Sequence, residues 1–182
     1  MPRRYDDWRN MGDLFQWGRK ADGHQLIKRA ATAAATTPVN NGTTTTLSST
    51  DNPGNALFIT PTNVPFDWRS PQNNNLWIPT GGTNNVCPVG WHVPTAAEWD
   101  AEQLVSLESA FNRLLITTGG LRESDGSLHS TNIAGIYWTT TLDLDSTTNF
   151  TTARTYFFSP TLAPIPGRDA QATGHSVRCI KD

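Results

Sequence analysis

The sequence predicts a loop-rich α+β domain with one or two helices, a small antiparallel sheet and long irregular loops. The first reason is composition. Only 16% of the 182 residues are charged, seven are tryptophan, and Gly (14) and Pro (12) accompany many Thr and Asn, a mixture that favours strands and turns over helices. The second is one segment, 95–115, with a helix-start signal and apolar residues at helical spacing. The third is a run of β-prone, alternating stretches in the last third of the chain. The length suits a single domain, 1–182, large enough to bury a core.

In chain order, "GDLFQWG" (12–18) is an apolar aromatic patch expected to pack as a short helix or turn, followed by the polar turn "RKADGHQ". Residues 30–55, "AATAAATTPVNNGTTTTLSSTDNPGN", show little periodicity and read as a loop-rich Thr/Asn insertion with at most one extended segment. "ALFIT" (56–60) reads as a short strand, and "FDWRSPQNNNLWIPT" (66–80) as a loop anchored by Trp68 and Trp77. The asparagines suit turns.

"NNVCPVGWHVPTAAEWD" (84–100) raises the question of a reactive site built from Cys87, His92 and Glu98. Local physics assigns Glu98 another task. Thr95 stands three residues ahead of it, the spacing of a capping box, and Pro94 stops backward extension, so Ala96 is the expected first helical residue. Trp99, Leu107, Phe111, Leu114 and Leu115 then form one apolar helix face. Beyond it, Gly119-Gly120 breaks the pattern and Asp125-Gly126 signals a hairpin turn. Strands are expected at 134–141, 153–160 and 174–182, with loops at 142–152 and 161–173.

Charge excludes some functions. With 14 basic and 16 acidic residues and a net charge of −2, the footprint of a nucleic-acid binder is missing. No apolar run approaches the roughly twenty residues of a membrane span. "MPRRYDDWRNMGD" carries positive charge without an apolar stretch behind it and does not read as a secretory signal. Neither Cys87 nor Cys179 has a second Cys or His at ligand spacing, and His24, His92, His129 and His175 are scattered singly, so no metal or other cofactor is expected. The two cysteines form either a disulfide staple or a pair of buried thiols, and an even count flanking the second half of a small domain favours the staple.

"LFQWGRKADGHQ", "CPVGWHVPTAAEWD", "SDGSL", "GIYWTTT", "ARTYFF" and "GHSVRCIKD", in this order and spacing, closely resemble the Fibrobacter succinogenes major paralogous domain, over about Gly12 to Asp182. The resemblance implies a C-type-lectin-like fold. That scaffold is shared with formylglycine-generating enzymes and with retroelement-diversified variable proteins, including phage tail adhesins and surface lipoproteins. The family has further residues ahead of Q-W-G-R. The resemblance therefore implies that the strand pairing the two chain ends comes from "RRYDDWRN" or from a neighbouring subunit.

The oxidase relatives use a redox-active cysteine pair, whereas both cysteines here match scaffold positions, so the chain is not expected to be an enzyme. The sugar-lectin strings E-P-N, Q-P-D and W-N-D are missing, and Asp143, Asp145 and Asn149 lack the loop of a calcium site. Gly126, Gly135 and Gly174 read as turn or bulge positions, Trp91, Trp99 and Trp138 as core, and Arg178 as paired inside the fold.

Leu142, Asp143, Asp145, Asn149, Phe150 and Tyr156, followed by Ile165, Arg168, Asp169 and Gln171, fall where diversified lectin-like proteins carry their exposed binding face. Aromatic residues and Arg are the types in which binding energy concentrates. These readings make the chain an extracellular, cell-surface or virion recognition module for a surface protein or glycan, with a homo-oligomer allowed. The alternative is a structural subunit of a fibre, phage tail or filament.

Overall fold

The computed structural model describes residues 4–146 and 150–182. It is an α+β protein of two short helices and several small sheets. In chain order the elements are β1 (Phe15–Gln16), β2 (Ile27–Lys28), β3 (Thr37–Pro38), β4 (Thr43–Thr44), β5 (Phe58–Ile59), β6 (Trp91–His92), α1 (Ala96–Ala101) and α2 (Leu107–Leu114). They continue with β7 (Leu121–Arg122), β8 (Leu128–His129), β9 (Gly135–Asp145), β10 (Phe150–Ser159), β11 (Leu162–Asp169), β12 (Gly174–His175) and β13 (Ile180–Lys181). One sheet has the order β1-β12-β7-β8 and another β11-β10-β9, both antiparallel. Two-stranded pairings join β13 to β6, β2 to β3 and, in parallel, β4 to β5. No helix among the described residues is long and apolar enough to cross a membrane.

The capping box forms as the spacing predicts: Glu98 N–H donates to Thr95 Oγ1 at 3.2 Å and Thr95 N–H to Glu98 Oε2 at 2.7 Å. The single helix expected through Leu115 instead breaks in two. Gln103 takes a left-handed conformation, Ser106 caps a second helix through Ser109, and Leu115 ends it in the left-handed region, half-exposed rather than on the apolar face. Gly126 has φ +90° in the β7–β8 turn, and a Cβ on Gly135 would lie 2.3 Å from Thr117 O, so each needs glycine for a stated reason.

The expected loops at 142–152 and 161–173 are largely strand. "TLDLD" alternates and carries β9 to Asp145, β10 starts at Phe150, and "LAPIPGRD" forms β11 despite two prolines. Pro164 and Pro166 sit two apart on the edge strand, so both lack N–H on the side facing away from β10, where no ladder bond is lost. The single strand expected over 174–182 divides into β12 and β13 in different sheets. "RRYDDWRN" supplies no strand: Trp8–Asn10 is a 3₁₀ turn, and β1 pairs the N-terminal region with β12. The 30–55 insertion is a chain of turns with β3 and β4 embedded. Asn40 and Asn52 each accept the backbone N–H two residues on, which is why asparagine recurs there.

Two apolar clusters hold the molecule. The first centres on Trp17, Trp68, Trp77 and Trp138 with Ile59, Leu76 and Val93, and the second places α1 and α2 against Tyr137, Tyr156 and Phe158. Every one of the four tryptophans in the first donates its indole N–H to a carbonyl: Trp17 to Thr139, Trp68 to Trp17, Trp77 to Asn84 and Trp138 to Phe15, at 2.7–2.9 Å. Buried arginines do the same at longer reach. Arg19 joins Asn55 O and Leu57 O to Asp22 and Gln16, while Arg122 bonds Gly126 O and lies over the Phe58 ring, 4.1 Å from its centroid. Burial lowers the Arg122 guanidinium to about 10.

Trp91, expected in the core, is 40% exposed, and Arg178, expected to pair internally, is exposed. Cys87 and Cys179 are joined as a disulfide across 92 residues, beside the β6–β13 pair. A second tie lies next to it. His92 Nδ1 meets Asp182 Oδ1 at 2.6 Å and His92 Nε2 meets Glu98 Oε1 at 3.1 Å, linking β6, α1 and the end of β13.

Two predictions follow from these ties. Replacing both cysteines by serine lowers the unfolding free energy by about 4 kcal/mol in the chain-entropy account, measured by urea titration of the two proteins. For His92, burial pulls the imidazole pKa down, but the Asp182 and Glu98 carboxylates outweigh it and raise it. A raised folded pKa gives stability that is full below the unfolded value of about 6.5 and is lost as pH rises through the folded one. The stability gap between the native protein and His92→Gln is therefore greatest below about pH 6.5 and shrinks as pH rises through the raised folded value. A gap that grows with pH disproves the pairing.

Candidate recognition surface

β9, β10 and β11 form the longest regular surface in the molecule, and their register decides which side chains share a face. Thr152 lies opposite Asp143, and Arg154 opposite Arg168. Phe150, Thr152 and Arg154 alternate outward while Thr151 and Ala153 are buried. The register shift between Ala153 and Thr155 places its extra residues on β9, whereas β10 pairs with β11 without interruption from Ala153 to Phe157. Tyr156 and Phe158 therefore lie on the same side as Arg154, farther along the strand where α1 and α2 cover them. Phe157 and Ile165, paired with each other, lie on the side opposite Arg154 and Arg168, and Ile165 is 45% exposed.

The outer face is charged and incompletely paired. Arg154 grips Asp143 through two bonds, Nε to Oδ2 at 2.7 Å and Nη2 to Oδ1 at 2.9 Å, and holds that carboxyl below its usual range. Arg168 sits opposite Arg154, a like-charge arrangement that costs stability in a sheet. Arg168 makes no ion pair among the described residues, so its guanidinium faces solvent beside a neutralised neighbour.

The sequence-derived site residues divide accordingly. Asp143, Phe150 and Arg168 share the outer face, Ile165 lies on the opposite one, and Asp145 is in register with Phe150. Leu142 packs against the tryptophan cluster. Tyr156, expected on the exposed face, is 6% exposed, stacks on Trp99 and donates to Asp100 Oδ1, because α1 covers that end of the face. Gln171, 1% exposed, donates to Asn74 Oδ1, and half-buried Asp169 accepts from Thr173 Oγ1 and the Ala170 N–H and meets His175 Nε2 at 3.0 Å. Asn149 lies outside the described residues.

Phe150 also borders a pocket of about 390 Å³ whose other walls come from segments read as loops, including Leu47, Val64, Asp67, Arg69 and Ser70. Asp67 is 2% exposed. Its Oδ1 accepts the Arg69 N–H at 3.1 Å, but Oδ2 has no hydrogen-bond partner. Burial pushes the carboxyl up to about 6, against the opposing pull of the Arg69 N–H, the Gln72 side chain and the Arg69 charge. Arg69 itself is engaged by Asp51 at 2.7 Å and donates to Pro71 O. A signal for this pocket was present in the sequence. Asp51, Asp67 and Arg69 are the only Asp, Glu, Lys or Arg between residues 30 and 97, and the fold gathers all three.

Gln72 joins the pocket to the sheet. At Thr151 β11 has already ended, and the Gln72 amide takes the vacated ladder position, accepting the Thr151 N–H at 3.3 Å and donating to Thr151 O at 3.0 Å. Gln72→Ala leaves both backbone groups unmatched and costs about 1–3 kcal/mol. The check is urea unfolding combined with amide exchange, with faster exchange at Thr151 than at Thr155. No protein-family model matches the chain, and no curated protein and no solved structure matches it significantly.

Proposed function

We propose that this chain is a non-enzymatic recognition module: a lectin-like scaffold, similar to the Fibrobacter succinogenes major paralogous domain, that presents the outer face of β9–β11 and the adjoining pocket to a surface protein or glycan. The observation that carries the reading is Arg168. Its guanidinium makes no ion pair among the described residues and stands opposite another arginine, an arrangement that costs stability and suits contact with a partner.

Other features support the frame. The pairing of β1 with β12 brings the two ends of the chain together as lectin-like folds do. The Cys87–Cys179 bond ties up the thiols that an oxidase-type reaction would need, and it suits an extracellular, cell-surface or virion setting. The fibre-subunit alternative finds less support in the sheet, because Pro164 and Pro166 remove N–H donors from the outer edge of β11, where strand addition would occur.

The test is to probe arrays of cell-surface glycans and ectodomains with labelled protein, native and Arg168→Glu. A partner whose binding falls at least tenfold with the charge reversal is the expected result. Absence of any partner on both arrays, or one indifferent to Arg168→Glu, overturns the assignment.

A further inference from the structure

The pocket beside Phe150 has a composition that narrows what it can hold. At about 390 Å³ it stands near the small end of ligand sites, enough for one compact ring rather than an extended chain. Asp67 and Arg69 line it together. A cationic ligand would be set beside the Arg69 guanidinium and an anionic one beside the Asp67 carboxylate, and like charges a few ångströms apart away from bulk water repel strongly. Arg69 is already paired with Asp51, so an anionic ligand meets the Asp67 carboxylate with no free cation to offset it, whereas a neutral hydroxylated ligand needs no counter-charge.

The polar groups are unevenly satisfied. Arg69 forms an ion pair with Asp51 and donates to Pro71 O, although its Nε makes no hydrogen bond, and Asp67 Oδ2 is buried with no donor. A buried carboxylate oxygen without a donor is costly, and a ligand hydroxyl taken in against it removes that cost. Around it stand the hydroxyls of Thr45, Thr62 and Ser70, each able to donate or accept as the ligand requires. Asn63 and Gln72 add amide groups, and apolar wall comes from Phe150, Leu47 and the 55% exposed Val64. A ring with a rim of hydroxyls and an apolar face of C–H groups matches all three features.

Resting on the recognition reading, we propose that this pocket binds the pyranose ring of a neutral sugar, the terminal unit of a surface glycan. Asp67 accepts from a ring hydroxyl, Ser70 and the threonines complete the polar rim, and Phe150 covers the apolar face. Because the acceptor must be ionised to take two donors, binding weakens as the carboxylate is protonated. Arg69, itself paired with Asp51, is the charged group that acts on Asp67.

The test is a titration of the uniformly ¹⁵N-labelled chain with the methyl pyranosides of glucose, galactose and mannose, alongside glucosamine and glucuronate, followed by amide shifts. The expected result is saturable movement of the Arg69, Ser70, Gln72 and Phe150 amides by at least one neutral pyranoside, at least tenfold tighter than by either charged sugar. Phe150→Ala, at a half-buried surface position, weakens it at least tenfold. Asp67→Asn does the same, and lowering the pH from 7 to 5 weakens binding several-fold. No shift with any neutral pyranoside, tighter binding of glucosamine or glucuronate, or indifference to Phe150→Ala overturns the proposal. An array partner lost with Arg168→Glu but untouched by pyranosides leaves the recognition module standing and removes the sugar pocket; silence in both experiments removes both.

Discussion

Loops that carry no ladder must still satisfy their carbonyls, and in this protein the indole N–H groups of buried tryptophans do it. Trp17, Trp68, Trp77 and Trp138 each fill the core with a large apolar surface and spend their single donor on a backbone oxygen from a distant segment. One side chain thus supplies packing and a polar anchor together. Most strands here are two residues long, too short to fix the chain by pairing alone. The arginines extend the device: Arg19 and Arg122 reach from β1's surroundings and β7 to carbonyls that no strand could meet.

That frame explains how a pocket can be built largely from irregular chain. The pocket walls come from 45–72, a region almost without regular structure, yet Trp68 sits in the core immediately beside Asp67 and Arg69 and holds both in place. Gln72 then acts as a substitute strand, completing β10 where β11 stops. The sheet and the loop consequently share a boundary at Phe150, and the charged outer face and the enclosed pocket form one continuous surface.

Much of the scaffold was legible in the sequence because its signals are local. Thr95 and Glu98 read as a capping box from spacing alone, Asp125-Gly126 as a turn, and Trp68 and Trp77 as anchors. The extents were harder. A proline in "LAPIPGRD" argues for a loop unless the strand is known to be an edge, and that is a property of the sheet, invisible in one segment. The burial of Tyr156 depends on α1 lying over one end of the sheet, a packing that the strand's own residues do not announce. Asp67 and Arg69 escaped for a different reason: their meaning lies in the scarcity of charge around them, which appears only when sixty-odd neighbours are read together.

The two prolines of β11 reach beyond the strand that contains them. An edge lacking two donors is a poor template for a neighbour, so β11 resists pairing with the strand of a second copy. The outer face is thereby relieved of a second duty. Its side chains need not guard against self-pairing, and they can change in size, charge or polarity with little risk of aggregation. A binding surface that must meet altered partners over time gains most from that freedom.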